Sequence, residues 1–257
     1  FSMGSIVAPR VWRQHPDRVA GLVLCATTDR FRQLPTETAF SSSPTLLLLP
    51  WNPRRAGSAP AARATASPPP AESPATAVGL GAITRLLTWG AGLHHAVHYQ
   101  DGQTFFFRTY ASAGALYPVE VYLVCGELDA LGAGVYYYLP HGDQLVRLRE
   151  GDHRPSLVRA SAEDPAVVHS PIVLALTGTP WRTAWKYAER GYRHLFWDAG
   201  MIVANLLALA ASVDVPARVV VGFADREVEL LFGLDGRREV PLCLLPLGTS
   251  ERKVVPA

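Results

Sequence analysis

RTYASAGALYPVEVYLV, residues 108–124, joins two kinds of chain. Its second half, from Val119, alternates and then runs apolar, as a half-buried to buried strand does. Its first half sets Ala111, Ser112, Ala113, Gly114 and Ala115 ahead of a Tyr117-Pro118 pair. Small side chains let a backbone approach something flat or charged very closely, and glycine opens conformations closed to other residues. An ordinary glycine-containing turn before a strand has the same composition. The flanking sequence has to separate the two readings.

Working outward, the pattern predicts a folded α+β domain from Val78 to Gly248. Upstream, GAITRLLTWGAG reads as a helix with a glycine stop and FFFRT as a short extended segment. Downstream, GVYYYLP reads as an aromatic-rich strand closed by the turn PHGDQ, and PIVLALTG as a buried strand. Residues 184–193 read as a helix bent near Gly191. Residues 195–213, LFWDAGMIVANLLALAASV, are apolar nearly all round, which places a helix at the centre of a domain or at a subunit interface. ARVVVGF, the short helix REVELLFGL and the strand VPLCLLPLG complete the domain. Its expected boundaries are residues 81–250.

The other end of the chain has a different character. Residues 41–80 contain SAPAARATASPPPAESPATA, too poor in large apolar groups to offset their ordering entropy by burial, and read as a flexible linker. TLLLLP just before it suits a short strand or surface packing. In residues 1–40, SIVAPRVWRQHPDRV reads as a helix and AGLVLCAT as a buried strand. FSMGS, if a glycine preceded it, would complete a nucleophile elbow on Ser2, and the order elbow, helix, strand resembles the middle of an α/β-hydrolase. The preceding strand, acid, histidine and oxyanion donors that such a serine needs are not evident, so the segment reads as an inactive remnant.

Composition narrows the function classes. The chain has 257 residues, 49% of them hydrophobic, so a full core is available. A net charge of +2 gives no electrostatic footprint for nucleic acid. No apolar run approaches the roughly 18 residues of a membrane span, and no secretory signal pattern is visible. Cys25, Cys125 and Cys243 each lie in apolar runs without metal-ligand spacing, which suits buried thiols in a reducing, cytoplasmic compartment. His94, His95 and His98 cluster in GLHHAVH, and His94 and His98 have i,i+4 spacing. The surroundings are loop-like and a third ligand is not evident, so no metal site is expected.

Five stretches in order, RTYASAGALYPVEVYLV, GVYYYLP, WKYAERGYRHLFWDAG, VVVGFADREVELLFGLD and EVPLCLLPLG, resemble a SagB-type dehydrogenase, a flavin enzyme of the nitroreductase superfamily, over roughly residues 80–250. The resemblance implies a mixed, mainly antiparallel sheet wrapped by helices and an FMN bound at a homodimer interface. It implies that Arg108, Ser112, Ala113, Gly114 and Tyr117 lie along the flavin, with Asn205 and Gly222 contributing. Gly222 reads equally as a strand-ending glycine with positive φ. The resemblance also implies that Lys186 and Tyr187 are catalytic: oxidising a thiazoline or oxazoline to its azole removes a hydride to the flavin and a proton to a base. A desolvated lysine can serve as that base and a tyrosine can relay a proton. By periodicity alone Lys186, Glu189, Arg190 and Arg193 read as a solvated helix face.

The chain departs from the family where a basic motif near the start usually grips the FMN phosphate. Only Arg63, with Arg54 and Arg55 further back, lies in that region, and Arg237, Arg238, Arg252 and Lys253 offer charge at the other end, Arg252 being the residue carried forward. Met201 stands where the family often has histidine. The resemblance implies an azoline-bearing, ribosomally made peptide as substrate and a cyclodehydratase as partner. The rival expectations are a nicotinamide-dependent nitroreductase and a flavin-free peptide-binding scaffold.

Overall fold

The computed structural model describes residues 78–100 and 102–256. The hydrolase-like segment with Ser2 and Cys25, the TLLLLP run, the linker up to residue 77, and Arg54, Arg55 and Arg63 lie outside the described residues.

The stretch that opens the sequence reading becomes the middle of a five-stranded sheet. β3 (Val119–Cys125) pairs on one side with β4 (Gly134–Leu139) and through it with β5 (Gln144–Glu150). On its other side it pairs with β6 (Ile172–Gly178), which pairs with β7 (Val240–Leu247), giving the order β5-β4-β3-β6-β7. All four ladders are antiparallel, so the expected mixed sheet is wholly antiparallel among the described residues. β1 (Leu93–His98) and β2 (Thr104–Arg108) form a separate antiparallel ribbon.

Period-two alternation sends β3 residues to two cores. Val119, Val121, Leu123 and Cys125 face one core; Tyr122 and Val124 face the other. The first is covered by α1 (Leu80–Ala91) and the long α5 (Gly191–Ser212). The second is covered by α2 (Arg154–Ala160), α3 (Pro165–Val168) and α6 (Asp225–Phe232). With both faces covered, every β3 and β6 residue is buried, which is why these strands read as apolar runs rather than as clean alternation. Cys125 and Cys243 are buried thiols, pushed up by that burial to about 11 and about 12.

Several local expectations change. GLHHAVH is strand β1, so His94 and His98 are not one helical turn apart. ARVVVGF forms only isolated bridges from Ala217 and Val220 to β7. Residues 181–212 break earlier than expected: α4 (Trp181–Tyr187) ends at Ala188, with φ 49° and ψ −133°, and a 3-10 turn leads into α5 at Gly191. The combined stretch Trp181–Ser212 is long and apolar enough, by composition, to cross a membrane, contrary to expectation. Half of its apolar window is buried inside the domain, as in a core helix.

Candidate functional site

The small-residue stretch folds into a tight 3-10 turn, Ala113–Ala115, placed between β2 and β3. Gly114 has φ 65°, and Ala115 and Tyr117 follow at 54° and 48°. Residues other than glycine rarely take this conformation. Hydrogen bonds hold it. Ser112 Oγ donates to Asp198 Oδ2 at 2.5 Å, the Ala113 N–H donates to Asp198 Oδ1 at 3.3 Å, and the Tyr117 N–H donates to Ser112 Oγ at 2.8 Å. Asp198 lies on α5 and is 3% exposed. Burial pushes its carboxyl up to about 6, against the two donors that favour the carboxylate. The hydroxyl of Ser112 and the N–H of Ala113 are thus committed to shaping the turn.

Lys186 and Tyr187 end α4 beside this turn. A Cβ built on Gly114 would lie 2.6 Å from Tyr187 Oη and 2.8 Å from Lys186 Nζ, so both polar tips converge on the one position that lacks a side chain. Lys186 Nζ also lies 5.5 Å from the centre of the Tyr187 ring. Tyr187 stacks on His194, with ring centres 4.4 Å apart, and His194 leans on Trp197 at 4.9 Å. Burial and Arg190 lower the pKa of His194, favouring the neutral ring, and its buried Nδ1 has no hydrogen-bond partner among the described residues. Lys186 itself is exposed in the single chain. The break at Ala188 takes Lys186 and Tyr187 off any regular face shared with Arg190 and Arg193.

Arg108 closes the other side. Its backbone N–H donates to Tyr117 Oη at 3.1 Å, and its guanidinium lies over the rings of Tyr117 and Tyr110 at 5.5 and 6.0 Å. Among the described residues it has no carboxylate partner; its Nη1 reaches Tyr110 Oη and the Val119 carbonyl at 3.5 and 3.4 Å. Burial raises the phenols of Tyr110 and Tyr117, keeping them protonated. Arg182 on α4 donates to Glu120 and to the Tyr117 carbonyl, tying α4 to the entry of β3.

Three sequence candidates are not brought into this cluster. Asn205 is 1% exposed, and its Nδ2 donates to the carbonyls of Gly90 and Thr109 at 3.5 and 3.3 Å, pinning α1 and the chain after β2 to α5. Gly222 follows the bridge from Val220 to Leu244, faces open space and does not have positive φ. Arg252 is exposed between Ser250 and Val254, whose N–H groups donate to His169 and Val168. That is the end of the sheet where β6 begins, whereas Lys186 follows the end where it finishes. Lys253 sits beside Arg252. Arg237 and Arg238 belong to a turn folded on Asp235, and Arg238 lines a recess of about 390 Å³ with Glu120 and Arg182.

Sequence reasoning missed Asp198 and His194. The only signal available was their i,i+4 spacing on an otherwise apolar helix. No group of three side chains among the described residues could hold a metal ion. The cluster suits an anionic, flat cofactor such as FMN on its own chemistry: Arg108 and Lys186 have no acidic partner among the described residues, and Gly114 leaves the turn without a side chain.

Comparison with known proteins adds four findings. A model of the Nitroreductase family matches residues 74–249. The microcin B17-processing protein McbC of Escherichia coli is 31% identical over 143 residues, 52% of this chain and 52% of its own length. Among solved structures, a proposed nitroreductase from Anabaena variabilis superposes with a TM-score of 0.62 at 32% identity, covering 65% of this chain and 34% of that one. A chain of the E. coli microcin synthetase McbBCD complex with truncated pro-MccB17 bound superposes with a TM-score of 0.57 at 21% identity, covering 97% and 93%. The chain spans about half of McbC and about a third of the Anabaena chain.

Proposed function

The chain belongs to the nitroreductase family, and from that premise we propose that it is an FMN-dependent dehydrogenase of the SagB type acting on azoline rings of a ribosomally made peptide. The observation that carries the reading is the convergence of Lys186 Nζ and Tyr187 Oη on Gly114, with Arg108, which has no carboxylate partner among the described residues, on the strand that leads into the same turn. FMN, when bound, would supply the two-electron acceptor for the hydride that leaves the ring. The chain supplies the rest. Lys186 Nζ takes the proton that leaves with the hydride, and the Tyr187 hydroxyl relays it or orients the ring. Ser112, Ala113, Gly114 and Tyr117 form the wall along the flavin, Arg108 contributes positive charge, and Asn205 and Gly222 support from a distance.

The name of McbC and the bound peptide in the McbBCD structure support a peptide substrate and a synthetase-type partner such as a cyclodehydratase. Trp185, Tyr192, Phe196 and Trp197 are exposed aromatic residues of α4 and α5, and Tyr192 and Phe196 pack on each other, which supports a homodimer. A second copy on that face would exclude water around Lys186, and Arg252 remains the proposed contact to the phosphate. We further propose the three-part division into residues 1–40, 41–80 and 81–250, and a cytoplasmic site of action.

The test is purification of the full chain followed by its visible spectrum and an azoline oxidation assay. Flavin absorption bands with azole formation are expected. A colourless protein that binds no added FMN would refute the reading. Flavin binding with reduction by a nicotinamide cofactor and no azoline turnover would instead establish the nitroreductase reading, which the Anabaena relative favours.

A further inference from the structure

We propose that Asp198 is a positioning residue of this site, a latch on the central helix that holds the Ser112–Gly114 turn against Lys186 and Tyr187. The proposal rests on the preceding reading only for what the turn is used for; the latch itself is a matter of geometry.

Three observations carry it. First, Asp198 is the one acidic side chain on α5, and it lies within the helix's buried face among Leu195, Ala199 and Ile202. Neither Ser112 nor Ala113 is charged, so no cation among the described residues compensates it; its two partners are a hydroxyl and a backbone N–H. A buried carboxylate without a cation partner costs stability. Second, both donors come from the turn, and its end and the chain just after it hold two non-glycine residues with positive φ, Ala115 and Tyr117, a conformation that persists only where the surroundings hold it. The Ser112 hydroxyl passes the hold on, since it also accepts from the Tyr117 N–H. Third, His194, one helical turn before Asp198, stacks on Tyr187. One turn of α5 thus supports both halves of the cluster, His194 holding the tyrosine and Asp198 holding the loop on which it converges.

The groups facing Asp198 are few. From the chain before the turn comes Tyr110, from the chain after it Tyr117, and both phenols stay protonated; on its own helix the neighbour is His194, whose pKa burial and Arg190 lower. Its protonation therefore follows its own burial against the two donors. The carboxyl stands at about 6 in the folded chain against 3.8 ordinarily, so its contribution to stability is greatest below the unfolded value and is lost as pH rises through the folded one. At neutral pH the molecule keeps a charge that weakens it. Once protonated, Asp198 retains one good acceptor oxygen for two donors, and the latch loosens.

The experiment is amide hydrogen exchange across residues 110–120 of the full chain, in wild type, Asp198→Asn and Ser112→Ala, with thermal melting of each. At neutral pH the amides of Ala113 and Tyr117 should be protected in wild type. Asp198→Asn should lower the protection of Ala113 about 10-fold or more, the size of one lost hydrogen bond to a charged group, with no fall in melting temperature. Ser112→Ala should release Tyr117. In wild type the Ala113 protection should fall as pH drops through about 6, after correction for intrinsic exchange. Unchanged protection in Asp198→Asn would overturn the proposal, as would a loss that accompanies a lowered melting temperature, the mark of a merely structural residue. These readouts need no cofactor, so they stand or fall separately from flavin binding. With FMN and azoline turnover established, the rate of wild type should fall on the acid side of pH 6 and that of Asp198→Asn should not follow the same limb.

Discussion

Lys186 and Tyr187 meet Gly114 through side chains that leave the last turn of α4, and the chemistry asked of each can be separated by substitution. Lys186→Ala should lower azoline turnover by about 10²–10⁴-fold, the usual contribution of a general base, with FMN occupancy unchanged. It should barely affect reduction of the flavin by an artificial donor, which needs no proton taken from the ring. Tyr187→Phe keeps the stack on His194 and removes only the hydroxyl. Unchanged turnover in both variants, at matched flavin content, would return the pair to an exposed helix end whose substitution is silent. Both residues were expected at the site from the resemblance that the five motifs carry, and periodicity alone read them as a solvated face. Asp198 was not expected there, because an aspartate within an apolar helix gives no sign of the turn, 85 residues earlier, that it bonds.

The junction between α4 and α5 is what aims these side chains. A Cβ added to Gly191 would lie 2.9 Å from the Ala184 nitrogen and 3.0 Å from the Ala184 Cα, against backbone that has nowhere to retreat. Gly191→Ala should therefore push α4 away from α5. The expected result is a loss of about 1–3 kcal/mol in stability, measured by urea unfolding, together with loss of Lys186 and Tyr187 from the cluster and a drop in turnover beyond that stability loss. Stability and turnover equal to wild type would show that the close approach is not needed. The sequence placed a bend near Gly191; the structure moves the break to Ala188 and gives Gly191 the role of contact surface.

At the scale of the whole molecule, the exposed aromatic residues of α4 and α5 form the surface proposed to pair two copies of the chain. Phe196 and Tyr192 meet edge to face at 5.1 Å and are 45% and 60% exposed, with no described element over them. Phe196→Asp should convert a yellow dimer to a monomer with weakened FMN binding, read by light scattering and the flavin spectrum. A chain lacking residues 1–40 should form the same yellow dimer as the full chain, since the family match begins at residue 74 and leaves the hydrolase-like segment without support. A monomeric wild type would refute the dimer, and a Phe196→Asp variant that remains dimeric would place the interface elsewhere.

The sequence by itself determined the strands and helices whose burial is nearly complete. β3, β6 and β7 announce themselves as apolar runs because both faces of the sheet are covered, and α5 because it is a core helix; the order of motifs along them was enough to reach the family. It left unread β5, whose residues are largely exposed, and β1, whose histidines lie on an exposed ribbon, because without burial there is little hydrophobic period to read. Only the tertiary structure decided which residues share a site. It joined Gly114 to Lys186 and Tyr187, and Ser112 to Asp198, while setting Arg252 at the far end of β6. The reason is that a chain's periodicity records how deeply each residue is buried, whereas a site is assembled from residues remote in sequence, through contacts that leave no period behind.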